Sequence, residues 1–136
     1  MDELRLKRYR DKINYIVDNI DDLPKKPKNK FEKRGILYSI QTSIESMIDL
    51  IAMLIKDLGI PVKTDELNIS TIVTERNLNV ELGEKLKKAN GMRNILVHRY
   101  NEVDEQIILD SVDEIKNLLF EWLEIIEEAL DEFTKD

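Results

Sequence analysis

The feature that most constrains the fold is the spacing of the aliphatic side chains, which recur every three or four residues over most of the chain. This is the period of an α-helix with one buried face, whereas a half-buried strand alternates at every second residue. Helix-breaking residues are scarce, with four Gly and three Pro among 136 residues. Because a β-sandwich or barrel needs a turn signal about every ten residues, the pattern predicts an all-α fold.

Five amphipathic segments follow from this spacing and predict a compact up-and-down bundle of four to five helices. The length suits a single domain, residues 1–136. Gly59 and Pro61 should end the second helix, and Thr64 or Asp65 should cap the third. In chain order, the predicted helices cover residues 2–19, 31 or 32 to 58, 64 or 65 to about 77, 80–98, and 105 to about 133.

The net charge of −7 conceals a gradient along the chain. Residues 1–34 hold 11 basic and 7 acidic side chains, whereas residues 101–136 hold 2 basic and 13 acidic side chains. Such asymmetry allows a locally positive surface on an acidic protein, so nucleic-acid binding is not excluded.

Composition excludes several classes of protein. The chain has no cysteine, which excludes a disulfide framework, a thiolate nucleophile and cysteine-ligated metal sites. No aliphatic stretch approaches the ~20 residues that cross a bilayer, and the segment MDELRLKRYR is charged where a signal peptide is apolar. We therefore expect a cytoplasmic protein that does not contact the membrane.

Most catalytic motifs are absent from the sequence, including a glycine-rich phosphate loop and HExxH. A site with several histidines is impossible in one protomer because His98 is the only histidine. Glu45 and Asp49, one helical turn apart, could hold a metal ion or form an ordinary polar face. We expect neither a metal nor a cofactor.

The remaining chemistry is concentrated in residues 91–104, where Arg93, Asn94, His98 and Tyr100 lie within eight positions. Asn94 and His98 are four residues apart and share a helix face, whereas Arg93 is rotated roughly 140° from His98. A two-fold dimer could unite the two by placing the same segment of a second chain alongside. The plainer interpretation is a histidine that caps a helix, an arginine in a salt bridge and a packed tyrosine.

This segment resembles a known family. Arg93, His98 and Tyr100 match the Arg-x4-His-x-Tyr signature of the HEPN superfamily, in particular its HepT branch of toxin–antitoxin toxins, and a polar residue after the arginine is typical. The segments SIESMIDLIAMLIKDLGIP and NEVDEQIILDSVDEI look like the family's second helix and the start of its last helix. The resemblance covers roughly residues 2–133.

The resemblance implies a homodimer whose motif segments face each other, and a metal-independent endoribonuclease. His98 would accept or donate protons, Arg93 would hold the phosphate, and Asn94 would orient His98 or the phosphate. RNA would be cleaved by its own 2′-hydroxyl, leaving a 2′,3′-cyclic phosphate. Candidate contacts to the RNA backbone are Lys85, Lys87, Lys88 and Arg99.

Tyr100 matches the tyrosine that a partner nucleotidyltransferase antitoxin adenylylates in HepT-like systems. Added AMP would exclude RNA by its bulk and its negative charge. Two other functions stay open from the residues alone. One is a non-catalytic dimeric HEPN module that binds a nucleotide or a nucleotidyltransferase, and the other is a plain helical interaction protein.

Overall fold

The computed structural model describes residues 1–98 and 101–135. Within these ranges the chain forms helices and no strand, which confirms the all-α prediction. None of the described helices is both long and apolar enough to span a membrane. In chain order the helices are α1 (Glu3–Ile20), α2 (Lys30–Asp57), α3 (Asp65–Glu75), α4 (Val80–His98), α5 (Glu102–Asp110) and α6 (Val112–Thr134).

The described ranges hold six helices because the last predicted helix is divided at Ser111. The backbone of Ser111 has φ −97° and ψ 5°, and its N–H donates to the carbonyl of Ile108 at 3.0 Å. Ile108, Val112 and Ile115 are nevertheless all buried and lie three or four residues apart. The apolar spacing continues through the break, and therefore it does not reveal where the helix is interrupted.

Helix α2 is the centre of the bundle and packs against each of the other five described helices. Its 28 residues give it the longest buried face, and every core position predicted for this helix is buried. Tyr9 of α1 and Trp122 of α6 are the largest side chains that are completely buried. The predicted and buried positions of α2 are Leu37, Ile40, Ile44, Met47, Ile48, Ile51, Leu54 and Ile55.

Local sequence sets the helix ends. Asn29 accepts the backbone N–H of Glu32 at 2.9 Å and begins α2, and Asn101 accepts that of Asp104 at 2.9 Å and begins α5. Gly59, with φ 77°, follows α2 in the left-handed conformation that glycine adopts without strain. The cap Asn101 lies three residues after His98, and α5 starts at the next residue, Glu102.

Helices α3 and α4 approach each other closely at Gly83. This glycine is buried, and a Cβ at its position would lie 2.7 Å from Cγ2 of Val73. A Cβ that close would force Val73 to shift, so glycine is what allows the two helices to pack as they do here. The approach holds α3 beside the helix that carries the motif.

Candidate functional site

Arg93 is held in a network of polar side chains between α4 and α3. Its Nε donates to Oδ1 of Asn90 at 3.3 Å, and its Nη2 lies 3.4 Å from Oδ2 of Asp65. Asn90 Nδ2 donates to the same Asp65 oxygen at 3.3 Å, which closes a three-membered network. Asn90 is only 2% exposed, so its amide is fixed by the packing around it.

The local fold explains why Asp65 meets Arg93. Thr64 caps α3 through its side-chain oxygen, so Asp65 is the first residue of that helix. Asn68, which is buried, accepts the N–H of Lys63 at 2.8 Å and donates to its carbonyl at 3.2 Å. This brace fixes the segment before α3 and keeps the Asp65 carboxylate at the α4 surface. Asp65 and Asn90 were not among the predicted site residues.

Asn94 and His98 lie on the outer surface of α4, and both are exposed. Within residues 1–98 and 101–135, no hydrogen bond or ion pair reaches either side chain. Their amide and imidazole groups are therefore accessible to a ligand. No described hydrogen bond connects Arg93 with His98, in keeping with their predicted divergence around the helix.

The three predicted lysines do not form one surface. Lys85 and Lys88 line a groove of about 420 Å³ between α4 and α6, together with Met92. Lys87 lies on another side of α4, where its Nζ is 3.1 Å from Oε1 of Glu84. The structure therefore brings Lys85 and Lys88 together and leaves Lys87 apart. Arg99 and Tyr100, two further predicted site residues, lie outside the described residues.

A second hollow, of about 260 Å³, lies between the first turns of α2 and α5. Three cations of α2 line it, and one of them, Lys33, forms an ion pair with Glu105 at 3.2 Å. The excess of basic residues in positions 1–34 indicated in the sequence that cations would lie on this part of the surface. It did not indicate that they would lie close to the start of α5. The lining residues are Lys30, Lys33, Arg34, Asn101, Glu102 and Glu105.

The alternative metal pair is engaged by other side chains. Oδ2 of Asp49 lies 3.3 Å from Nζ of Lys12, and Oε1 of Glu45 accepts from Gln41 at 3.3 Å. In the part of the chain that the structure describes, no group of three or more His, Asp or Glu side chains could hold a metal ion.

Comparisons with known proteins agree on one family. A family model described as "Ribonuclease HepT-like" matches residues 6–134. A protein of Archaeoglobus fulgidus named "Putative RNase" is 44% identical over 128 residues, which are 94% of this chain and 97% of that protein.

Two solved structures are similar in fold. The toxin–antitoxin pair MntA–HpeT, with a tyrosine replaced by alanine, contains a chain that matches with a TM-score of 0.77 and 17% identity, over 89% of this chain and 98% of that one. A tri-AMPylated HEPN toxin of Shewanella oneidensis, in complex with an MNT antitoxin, matches with a TM-score of 0.68 and 20% identity, over 94% of this chain and 99% of that one.

Proposed function

The chain belongs to the HepT-like ribonuclease family, and from that premise we propose that it is a toxin-like endoribonuclease that cleaves RNA without a metal ion. The observation that carries the proposal is the exposed His98, which ends α4 on the same face as Asn94 and has no described polar partner. An imidazole that only caps a helix would hydrogen-bond to its last carbonyls.

RNA supplies its own nucleophile in the proposed reaction. The 2′-hydroxyl loses its proton to a base and attacks the adjacent phosphorus, while the bond from phosphorus to the 5′-oxygen breaks and that oxygen takes up a proton. His98 serves in these proton transfers, because an imidazole can both accept and donate a proton. The products are a 2′,3′-cyclic phosphate and a 5′-hydroxyl.

Arg93 stabilises the charge that gathers on the non-bridging phosphate oxygens in this reaction, through the two-pronged grip that a guanidinium provides. Asp65 and Asn90 already hold part of the guanidinium, so it is oriented before the substrate arrives. Asn94 orients His98 or the phosphate through its amide. Lys85 and Lys88 would contact the RNA backbone from the α4 wall of their groove, away from Glu114 and Glu121 on the α6 wall.

The proposal is tested with the variants His98→Ala and Arg93→Ala. Each should lose about 100- to 10,000-fold in RNA cleavage while the helical circular dichroism signal stays unchanged. EDTA should leave the wild-type rate unaffected. Inhibition by EDTA that Mg²⁺ reverses would move the activity to a metal site. Unchanged cleavage by both variants would place catalysis at other residues, and a wild-type chain that does not cleave RNA would favour the non-catalytic module.

We further propose that a partner nucleotidyltransferase antitoxin silences the enzyme by adenylylating Tyr100. Support comes from the match of Tyr100 to the family motif and from the AMPylated HEPN toxin that shares this fold. Tyr100 lies two positions after His98 in the sequence, so an attached AMP would place bulk and negative charge where the RNA phosphate must bind.

Tyr100→Phe separates silencing from catalysis because it removes only the acceptor oxygen. With the partner nucleotidyltransferase and ATP, the wild-type chain should gain the mass of one or more AMP groups and lose activity. The variant should gain no mass and stay active. Modification of the variant would exclude Tyr100 as the acceptor.

A further inference from the structure

The first part of α2 carries a surface formed by Phe31, Arg34 and Tyr38, with Lys30 at its edge, which we call the α2 platform. We propose that this platform binds the single-stranded RNA that flanks the cleaved phosphate, through bases stacked on the two rings and phosphates paired with the two cations. The inference rests on the proposed ribonuclease function and adds to it a place that holds the rest of the substrate.

The aromatic rings of the platform face solvent on one side of the helix. Phe31 is 79% exposed and Tyr38 is 62% exposed, unlike the buried aliphatic residues that follow them in α2. Positions 31, 34 and 38 are three and four residues apart, so they share one helix face. At 1.5 Å per residue the two rings lie roughly 10 Å apart along the axis, with Arg34 between them.

The cations of the platform have no charge partner within the described ranges. Lys33 is paired with Glu105 and Lys25 with Asp113, whereas no described carboxylate pairs with Lys30 or Arg34. Free cations interleaved with exposed aromatic rings are the combination with which proteins bind single-stranded nucleic acid. Phe, Tyr and Arg are also enriched in the core of protein–protein interfaces, whereas Lys is depleted there, so the unpaired Lys30 beside Arg34 is the feature that favours RNA over a second protein.

The platform lies beside the start of α5, the helix that follows the motif in the sequence. The 260 Å³ hollow joins Lys30 and Arg34 to Asn101, which caps α5 three residues after His98. An RNA strand whose phosphate lies at His98 can thus continue onto α2 along the wall of the hollow formed by Lys30, Lys33 and Arg34, away from Glu102 and Glu105. The acidic residues 101–136 repel a polyanion, so the basic segment 1–34 offers the favourable direction.

The test measures binding of a labelled, single-stranded RNA of roughly twelve nucleotides by fluorescence anisotropy, in the His98→Ala background so that the RNA stays intact. Phe31→Ala, Tyr38→Ala and Arg34→Gln should each weaken binding about fivefold to a hundredfold. Matched controls are Tyr15→Ala and Arg8→Gln, which change exposed residues of α1 and should shift affinity less than about twofold.

The salt dependence separates the two kinds of contact. Arg34→Gln should lower the slope of log affinity against log salt by about one, while the aromatic variants should leave that slope unchanged. Equal losses in the platform and control variants would overturn the proposal, as would absence of RNA binding. So would platform variants that bind RNA normally but change the oligomeric state or lose the nucleotidyltransferase, because the face would then bind protein.

Cleavage by chains that keep His98 distinguishes failure of this inference from failure of the proposed function. If the wild-type chain cleaves RNA and the platform variants cleave it with unchanged KM, the platform is wrong and the ribonuclease stands. If the wild-type chain binds RNA through the platform without cleaving it, the ribonuclease is wrong and the platform stands.

Discussion

Among single residues, Arg93 differs from Asn94 and His98 because its guanidinium is already held before any ligand binds. The three contacts of its network measure 3.3–3.4 Å, which is long for charge-assisted hydrogen bonds. Contacts of this length orient the Arg93 guanidinium but add little to the stability of the folded chain. An arginine fixed in this way loses less conformational entropy when it grips a phosphate. Among the residues that the structure describes, Asp65 is the only charged side chain that contacts it.

Replacing Asp65 tests whether this carboxylate acts as a positioning group. Asp65→Asn keeps the size of the side chain and removes its charge, so we expect kcat to fall about tenfold while KM changes little. Asp65→Glu should recover part of the loss. The control Glu66→Gln removes the neighbouring carboxylate from the same first turn of α3 and should leave kcat unchanged. A merely structural Asp65 would instead lower the melting temperature without altering kcat of the folded enzyme.

At the scale of helices, sequence spacing predicts most of the fold and only part of the site. The ends of α1, α2 and α4 lie within two residues of their predicted positions, because breakers such as Gly59 interrupt clear apolar stripes. No glycine or proline in the sequence marks the interruption between α5 and α6 at Ser111. The contact of Asp65 with Arg93 depends on how α3 packs across α4, and the spacing of residues along each helix does not specify that packing.

The variant Gly83→Ala tests the close packing of α3 against α4. Alanine is the better helix former by about 1 kcal/mol, but here its Cβ would collide with Val73. We expect a net loss of about 1–3 kcal/mol in the free energy of unfolding, measured by urea denaturation, and partial recovery in the double variant with Val73→Ala. Gly91→Ala is the control, since a Cβ added there would meet no described atom within 4 Å beyond its chain neighbours and the backbone of its own helix, and it should gain about 1 kcal/mol. Equal stabilisation by both alanines would contradict the close approach of α3 and α4.

A second contact between helices predicts how stability depends on pH. The buried Tyr9 of α1 donates its hydroxyl to Oδ2 of Asp57 in α2 at 2.6 Å. Burial first, and then this hydrogen bond, raise the pKa of Tyr9 above that of an unfolded tyrosine, which is near 10. Because the folded chain holds the proton more tightly, this stabilisation is complete below about pH 10 and is lost as the pH rises further.

Urea denaturation between about pH 8 and 11 measures that dependence. The free energy of unfolding should fall above pH 10 in the wild-type chain and fall less steeply in Tyr9→Phe. Tyr15→Phe changes an exposed tyrosine on the same helix and should keep the wild-type dependence. An alkaline decline of the same steepness in Tyr9→Phe would show that another group is responsible.

Across the whole molecule, one protomer separates the groups that the proposed reaction needs. The guanidinium of Arg93 is held toward α3, while His98 is exposed roughly 140° further around α4. A two-fold dimer solves this problem if Arg93 of one protomer meets His98 of the other. We therefore predict a homodimer, or an even-numbered assembly, whose symmetry axis passes near residues 93–100.

Mixed dimers of Arg93→Ala and His98→Ala chains test this arrangement directly. Each variant alone lacks one group at both sites, so both homodimers are inactive. In a mixed dimer, the intact Arg93 of the His98→Ala chain meets the intact His98 of the other chain, and one of the two sites is complete. Random exchange of subunits should restore roughly a quarter of the wild-type activity.

If Arg93 and His98 instead act within one protomer, every mixed dimer lacks a group at each site, and mixing restores no activity. Light scattering shows that the samples are dimeric, and co-purification of two differently tagged chains shows that subunits have exchanged, so that an inactive mixture counts against the shared site.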